Sequence, residues 1–244
     1  MEPIKLEICA FSVDAALKAQ AAGADRIELC TNPAEGGTTP SYGTMQKACE
    51  LLHIPVFPII RPRGGDFYYS AEEFDMMAED IVSAKHLGCK GVALGILNKD
   101  ETIDTERTSF LVKLAHPMQV TFIRAFDLVP DPMAALRDLI EIGCKRVLTS
   151  GQALKAENAV ALLKELTLAA RHRIIVMPGS GITPDNLETL IKETGAPEYH
   201  SSARTVLRDA TAEKFGFGNI YSCNTHHIEQ MRAIANRYAT VAIT

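Results

Sequence analysis

One junction recurs four times along this 244-residue chain. The segments AGADRIEL, LGCKGVAL, IGCKRVLT and TGAPEYHS each place a glycine where a helical segment must stop, shortly before an apolar, β-branched run. Three other helical segments end near His53, His116 and His172, each shortly before another such run. Two kinds of helix-to-strand junction therefore alternate along the chain, and this pattern predicts strict βα repetition.

Eight short apolar runs predict strands near residues 4–9, 25–30, 55–60, 90–95, 119–123, 145–149, 173–177 and 197–201. Helical segments separate them without hairpin turns, which predicts an α/β fold with a parallel sheet. Eight units of about 25–30 residues match a single-domain (β/α)8 TIM barrel over residues 1–244. An open doubly wound sheet is the weaker alternative, since no G-x-G-x-x-G follows the first strand. Residues 205–222 lack periodicity and are interpreted as a long loop before a last helix capped by Thr225.

The amino-acid composition argues against several classes of protein. The chain is 47% hydrophobic with a net charge of −5, and its basic residues are scattered, which argues against nucleic-acid binding. No apolar run is long enough to span a bilayer and no secretory leader is recognisable, so we predict a cytoplasmic protein. Six cysteines without a C-x-x-C motif argue against zinc-finger and disulfide scaffolds and predict reduced thiols.

In such barrels the chemistry lies where the strands end at their C-termini. The candidate polar residues there are Glu7, Ser12, Glu28, Cys30, Arg61, Arg63, Asp66, Arg124, Asp127, Thr149, Ser150, Gln152, Gly179, Ser180, Gly181, His200, Ser201, Ser202 and Arg204. Side chains alternate along a strand, so Glu7 shares one face with Cys9 and Glu28 shares one with Cys30. If that face is the lumen, the carboxylates need partners, for which Arg61 and Arg124 are predicted. The alternative is a set of structural ion pairs that closes the top of the barrel.

The predicted loops after strands seven and eight favour an anion site. Gly179, Ser180 and Gly181 offer backbone N–H groups, and Ser202 and Arg204 offer a hydroxyl and a guanidinium. Arg63 and Ser150 are assigned to the same site. The alternatives are ordinary βα turns and, for Arg63, a surface pair with Asp66. No lysine is predicted at a strand C-terminus, which argues against a Schiff-base aldolase. No H-x-H or H-E-x-x-H motif indicates a hard catalytic metal.

The ordered motifs LEIC, RIELC, EGGTTPS, RPRGGDF, RAFD, LTSGQ, MPGSGI and HSSAR resemble the CutC copper-homeostasis family over about residues 4–204. The resemblance implies a cytoplasmic (β/α)8 barrel, dimeric or of higher order, that is associated with copper and has no securely assigned reaction. It carries the family's strand-end residues onto Glu7, Glu28, Arg61, Arg63, Asp66, Arg124, Asp127, Ser150, Gln152, His200, Ser202 and Arg204, and the copper-associated thiol onto Cys30. The chain departs from the family at Ile123, where histidine is usual, and at Ser180, where glycine is usual.

Two hypotheses follow. Cu(I) prefers thiolate ligands, so Cys9 and Cys30 could form a two-sulfur copper site, unless both are simply buried packing residues. Alternatively the protein is an isomerase or lyase for a small phosphorylated or carboxylated metabolite. The predicted catalytic residues are then Glu7, Glu28, Arg61, Arg124, Asp127 and His200, with the two glutamates as acid and base. The predicted assembly is a homodimer. A non-catalytic scaffold is a third possibility, but nothing in the sequence marks a partner-binding face.

Overall fold

The structure, a computed structural model, describes residues 3–208, 214–216 and 218–238. Eight parallel strands alternate with helices. The strands are β1 Lys5–Ala10, β2 Arg26–Leu29, β3 Val56–Pro58, β4 Gly91–Leu94, β5 Gln119–Phe122, β6 Arg146–Thr149, β7 Ile175–Pro178 and β8 Glu198–Ser201. The helices between them are α1 Val13–Ala21, α2 Tyr42–Leu51, α3 Ala71–His86, α4 Thr105–Ala115, α5 Pro132–Ile142, α6 Val160–Ala170 and α7 Pro184–Thr194.

The strands form two hydrogen-bonded groups, in the orders β3-β2-β1-β8 and β4-β5-β6-β7. A parallel bridge between Ile59 and Ala93 joins β3 to β4, and β7 packs beside β8, so the ring closes. The predicted (β/α)8 barrel is confirmed. That this domain spans residues 1–244 stays a prediction.

Several helices begin or end at residues that the local sequence signals predict. Gly143 and Gly195 cap α5 and α7 with φ angles of 92° and 65°, a left-handed conformation that glycine adopts without a steric penalty. Ser12, one of the strand-end candidates, caps α1 by accepting a hydrogen bond from the Ala15 N–H. These caps fix where each helix meets its neighbouring strand, and so they position the strand ends that carry the site.

The expectation of a loop over residues 205–222 is wrong for its two ends. Strand β9 (Arg204–Leu207) pairs antiparallel with β10 (Ile220–Cys223), while residues 209–213 and 217 lie outside the described residues. Two four-residue strands are too short to show periodicity, yet each supplies the backbone partners that the other needs. The last helix, α8 (Thr225–Ala235), is capped by the Asn224 side chain, because that oxygen and not the Thr225 hydroxyl accepts from the His227 N–H. Within the described ranges, the helices are too short or too polar to cross a membrane.

Candidate functional site

The C-terminal ends of the strands surround a cavity of about 610 Å³. Its lining includes these predicted site residues: Cys9, Glu28, Arg61, Arg124, Ser180, Gly181, His200, Ser202 and Arg204. Ser201 also lines it, and the other candidates lie outside that lining: Glu7, Ser12, Cys30, Arg63, Asp66, Asp127, Thr149, Ser150, Gln152 and Gly179. Ile59, Ile123 and Leu148 give the cavity an apolar wall. Since Ile123 stands where the family resemblance expects histidine, β5 contributes no imidazole to the cavity.

Strand register places a histidine between two glutamates. Strand β1 lies between β2 and β8, which aligns Glu7 with Arg26 on one side and with His200 on the other. Residues aligned across parallel strands point to the same face, here the lumen. The His200 Nδ1 atom is hydrogen-bonded to Glu7 Oε1 at 2.8 Å, and its Nε2 atom lies 3.8 Å from Glu28 Oε2. The imidazole therefore connects the two carboxylates.

The two glutamates hold protons with very different affinities. Burial raises the pKa of a carboxyl group, but for Glu7 the positive charge of Arg26 and a hydrogen bond with His200 outweigh it and bring the pKa well below its usual range. For Glu28 burial prevails over the attraction of His200, and repulsion from Glu7 adds to it, so the pKa is raised. Burial lowers the pKa of His200, yet Glu28 and Glu7 raise it further than burial lowers it. The raised pKa values of Glu28 and His200 both favour the protonated form of the group, whereas that of Glu7 favours the carboxylate.

Two thiols extend this arrangement. Cys9 Sγ donates to Cys30 Sγ at 3.6 Å, and Cys30 Sγ donates to Glu28 Oε2 at 3.6 Å. The contact with Cys30 lowers the pKa of Cys9, but burial and the Glu28 carboxylate outweigh it and raise the pKa. The contact with Cys9, together with burial, raises the pKa of Cys30 well above its ordinary value. Both side chains are therefore neutral thiols at pH 7, in contact with each other and with a carboxyl group.

Two overlapping groups of metal-ligating side chains lie within the reach of a single ion. Among the described residues they are Cys9 with Glu28 and Cys30, and Glu7 with Glu28 and His200. The first offers two soft sulfur atoms and suits Cu(I), whereas the second offers carboxylate and imidazole ligands. Glu7 is engaged in an ion pair, which leaves the first group as the better fit for a soft cation.

The prediction that Arg61 and Arg124 pair with the buried carboxylates of Glu7 and Glu28 is wrong. Arg26 binds Glu7 through its Nε atom and reaches Glu198 Oε2 at 2.5 Å, and Arg146 Nε binds the same Glu198 oxygen at 2.7 Å. These residues are at most 5% exposed, and Arg26, Arg146 and Glu198 are the first residues of β2, β6 and β8. Side-chain alternation along RIELC, residues 26–30, places Arg26 on the same face as Glu28 and Cys30. Arg26 could therefore have been predicted from the sequence as a partner of Glu7.

Arg61 and Arg63 have separate structural roles. Arg61 is 5% exposed and donates to the Gly37 and Gly65 carbonyl oxygens at 3.0 and 2.8 Å, so it joins the loops after β2 and β3. Arg63 points away from the cavity and binds Asp66 at 3.0 Å and Glu73 at 2.6 Å. The position of Arg63 agrees with the alternative interpretation from the sequence, a surface ion pair with Asp66. Arg61 lines the cavity; its two Nη atoms donate to backbone carbonyls, whereas its buried Nε atom has no hydrogen-bond partner.

Arg124 and Asp127 connect the loops after β5 and β6. The Asp127 carboxylate accepts hydrogen bonds from Thr149 Oγ1 at 2.5 Å and from Ser150 Oγ at 2.8 Å. Arg124 Nε binds Asp127 at 2.7 Å, and its Nη2 donates to Ser150 Oγ at 3.0 Å. Gln152 Nε2 donates to the Val129 carbonyl. Arg124 alone among them faces the cavity, and Asp127 and Ser150 hold it in place.

The loops after β7 and β8, on which the sequence predicts an anion site, both contribute to the cavity lining. Ser180 and Gly181 both have positive φ angles, 77° and 73°, and Ser202 and Arg204 are also in the lining. Gly179 is required for close packing, since a Cβ atom there would lie 2.4 Å from the Leu148 side chain. Arg204 is exposed, and its guanidinium lies 5.3 Å from the Tyr221 ring centroid. Its charge is thus available at the cavity rim.

Comparison with solved structures agrees with the fold and the motifs. A crystal structure of CutC from Streptococcus agalactiae superposes with a TM-score of 0.79 at 35% identity, and the match covers 82% of this chain and 98% of that one. Phosphoribosylanthranilate isomerase from Thermotoga maritima superposes with a TM-score of 0.60 at 15% identity, covering 96% of this chain and all of that one. At that identity the isomerase shows a shared fold alone.

Sequence relatives match most of the chain. A CutC family protein of Chromobacterium violaceum is 50% identical over 211 residues, 86% of this chain and 85% of the relative. A Homo sapiens protein named copper homeostasis protein cutC homolog is 49% identical over 200 residues, 82% of this chain and 73% of the relative. The family model described as CutC family matches residues 4–205, which contain every strand of the barrel and all the predicted site residues. The chain belongs to the CutC family.

Proposed function

We propose that this protein acts in copper homeostasis and binds Cu(I) through Cys9 and Cys30 on the cavity wall. One observation carries the proposal: the two sulfur atoms lie 3.6 Å apart on neighbouring strands, and Cys9 faces the cavity. Cu(I) is a soft cation that prefers thiolate ligands, and two sulfurs in contact need only small side-chain rotations to share one ion. The names of the relatives, which include copper homeostasis proteins, support the same conclusion.

In this proposal the Glu28 carboxylate accepts a proton that a cysteine ligand releases. Thiols must lose their protons to bind a metal ion, so Cu(I) binding releases protons and depends on pH. Cys30 donates to Glu28, and the raised pKa of that carboxyl group suits it to accept the proton that Cys30 gives up. His200 lies 3.8 Å from Glu28 and can pass a proton onward. In this proposal Glu28 supports the ligands, while Cys9 and Cys30 hold the ion.

A competitive Cu(I) titration tests the site. A chromogenic Cu(I) chelator is equilibrated with the reduced protein, and affinities are compared among wild type, Cys9→Ser and Cys30→Ser. We expect each substitution to lower the Cu(I) affinity by more than about a hundredfold, and Glu28→Gln to lower it by about 10–100-fold. Cys49→Ser/Cys89→Ser is the matched control, because it removes the only other contacting thiol pair among the described residues. Equal affinity in wild type and Cys30→Ser would refute the site.

A second candidate function rests on the unequal proton affinities beside the anion loops. Glu28 and His200, both with raised pKa values, line the same cavity as Ser180, Ser202 and Arg204. This is the arrangement that an isomerase or lyase for a small phosphorylated or carboxylated metabolite requires. The acid–base pair is then Glu28 with His200, because Glu7 lies outside the cavity lining and is ionised beside Arg26.

Ligand binding and isotope exchange test the enzyme hypothesis separately from copper. Inorganic phosphate is titrated calorimetrically into wild type and into Ser202→Ala/Arg204→Gln, and we expect heat of binding in the wild type only. Small phosphorylated aldoses and ketoses are then incubated in deuterium oxide with wild type and Glu28→Gln. Deuterium incorporation that depends on Glu28 supports the hypothesis. Phosphate heats that are unchanged in the double variant would contradict the anion site.

The proposal includes a cytoplasmic location and a homodimer, as the family resemblance implies. All six cysteines are free thiols, which suits a reducing compartment. Sedimentation velocity tests the assembly: a single boundary at twice the mass of the 26.6 kDa chain supports a dimer, and a boundary at one chain contradicts it.

A further inference from the structure

A second pair of cysteines lies at the opposite end of the barrel from the cavity. Cys49 is in the last turn of α2, and Cys89 is in the turn between α3 and β4. Their sulfur atoms are 3.3 Å apart, closer than those of Cys9 and Cys30. Both line a cleft of about 140 Å³ at the N-terminal ends of β3 and β4. Helix packing has therefore brought two thiols from distant parts of the chain into contact beside an opening.

The two members of this pair differ in access. Cys49 is only half-buried, whereas Cys89 is 5% exposed. Both residues line the cleft, and Cys49 is the more accessible of the two to a small solute. Lys90 lines the same cleft and places a cationic side chain beside the pair. Reactive cysteines are characteristically found in such partially exposed, electropositive surroundings.

The electrostatic surroundings of the two cysteine pairs have opposite signs. A hydrogen bond with Cys89 lowers the pKa of Cys49, and Lys90 lowers it further against the effect of partial burial. The same hydrogen bond, together with burial, raises the pKa of Cys89. In the cavity, by contrast, the carboxylate of Glu28 helps to raise the pKa of both thiols. Cys49 therefore loses its proton more readily than either thiol of the cavity pair.

We propose that Cys49 and Cys89 form a peroxide-reactive dithiol, in which Cys49 is the attacking sulfur and Cys89 is the resolving one. An accessible cysteine with a second thiol in contact behind it is the arrangement typical of a redox-sensing pair. The reaction takes place outside the cavity and uses none of the residues assigned to copper. It is therefore independent of the proposed function.

The chemistry balances with a hydroperoxide as oxidant. The Cys49 thiolate attacks one peroxide oxygen, so an S–O bond forms as the O–O bond breaks, and the leaving oxide takes a proton to become an alcohol or water. Cys49 is then a sulfenic acid, oxidised by two electrons. The Cys89 sulfur attacks the Cys49 sulfur, the S–O bond breaks, and the proton of Cys89 leaves with the hydroxide as water. The product is a Cys49–Cys89 disulfide, which an external dithiol reduces by exchange.

Peptide mapping of the wild-type protein tests the proposal without any variant. The reduced full chain is treated with one equivalent of hydrogen peroxide, blocked with an alkylating reagent and digested without reductant. We expect a linked peptide pair that contains Cys49 and Cys89, while Cys9, Cys30, Cys144 and Cys223 are recovered as alkylated thiols. Absence of the linked pair, or prior oxidation of Cys30, would overturn the assignment.

Single variants separate the roles of the two sulfurs. In Cys89→Ser the sulfenic acid has no resolving partner, so dimedone should label Cys49. In Cys49→Ser we expect loss of both the linked peptide and the label. Cys9→Ser/Cys30→Ser is the matched control and should form the linked peptide as the wild type does. If this control instead retains one Cu(I) equivalent that protects Cys49 from peroxide, the pair is a metal site and the redox proposal fails.

Discussion

Replacing Arg26 with methionine tests whether the charges inside the barrel are a single interdependent cluster. Arg26 is 5% exposed, binds Glu7 and lies 2.5 Å from Glu198 Oε2. Methionine keeps much of the side-chain volume and removes the charge. The change leaves two buried carboxylates with weaker compensation: Glu198 retains Arg146 at 2.7 Å, and Glu7 retains His200 at 2.8 Å.

The expected loss of stability is large because the penalty arises from uncompensated charge. Removing one partner of a buried ion pair costs about 3–5 kcal/mol, whereas an exposed pair contributes about 0–1 kcal/mol. For a chain of this length the loss corresponds to a fall in Tm of about 6–20 °C. Arg237→Met is the matched control, since Arg237 pairs with Glu188 at 3.3 Å with 57% of its side chain exposed. We expect that control to lose less than about 1 kcal/mol.

The loss should also depend on pH in a defined direction. In the wild type the lowered pKa of Glu7 contributes stability above the unfolded value of 4.5, and that contribution is lost as the pH falls through the folded value. Without Arg26, burial should raise the pKa of Glu7, so the variant loses stability as the pH rises. The difference between the two proteins is therefore expected to be larger at about pH 8 than at about pH 5.

Urea unfolding at both pH values, monitored by circular dichroism, measures these differences, with similar m-values required for comparison. Adding Glu7→Gln to Arg26→Met should restore part of the stability, because a neutral amide needs no counter-ion. A loss equal to that of Arg237→Met, or a loss independent of pH, would refute the reasoning.

Three further predictions concern other parts of the structure. His200 has a raised pKa, so its contribution to stability is present below the unfolded value of 6.5 and is lost as the pH rises through the folded value. In His200→Gln the urea midpoint should therefore depend less on pH between about pH 6 and 8 than in the wild type. An unchanged dependence of the midpoint on pH would contradict this. Gly91→Ala would place a Cβ atom 2.2 Å from an aromatic carbon and 2.5 Å from a backbone oxygen, and should cost about 1–3 kcal/mol in urea unfolding. Gly43→Ala meets open space in α2 and should stabilise by about 0.5–1 kcal/mol, so equal effects of the two changes would argue against the packing explanation. Cu(I) affinity at Cys9 and Cys30 should increase with pH, because both thiols must be deprotonated, and a pH-independent constant from chelator competition would contradict that site.

The fold was largely predictable because its signals are local. Glycines such as Gly143 and Gly195 end helices by adopting a conformation that other residues rarely take, and the strand that follows each glycine starts within three residues of it. Eight predicted strands lie within a few residues of the observed ones. The hairpin of β9 and β10 was missed because each strand has only four residues and is separated from its partner in the chain by residues 208–219.

The site was predictable in its composition but not in its pairing. Alternation along β1 and β2 correctly gathered Glu7, Cys9, Glu28 and Cys30 on one face, and the same rule could have added Arg26. It could not show that Arg61 is engaged by backbone carbonyls or that Arg63 turns to the surface. Those outcomes depend on loop conformations that have no period in the sequence.

The sequence by itself determined a barrel of eight βα units with acidic and thiol side chains in its lumen, because helix ends and strand alternation depend on near neighbours in the chain. Only the tertiary structure decided which charges meet. Arg26 and Glu198 are 172 positions apart, and His200 reaches Glu7 across 193. Such contacts depend on the relative register of strands as the barrel closes, and that register also decides which carboxyl group has a lowered pKa, which one has a raised pKa, and which thiols touch.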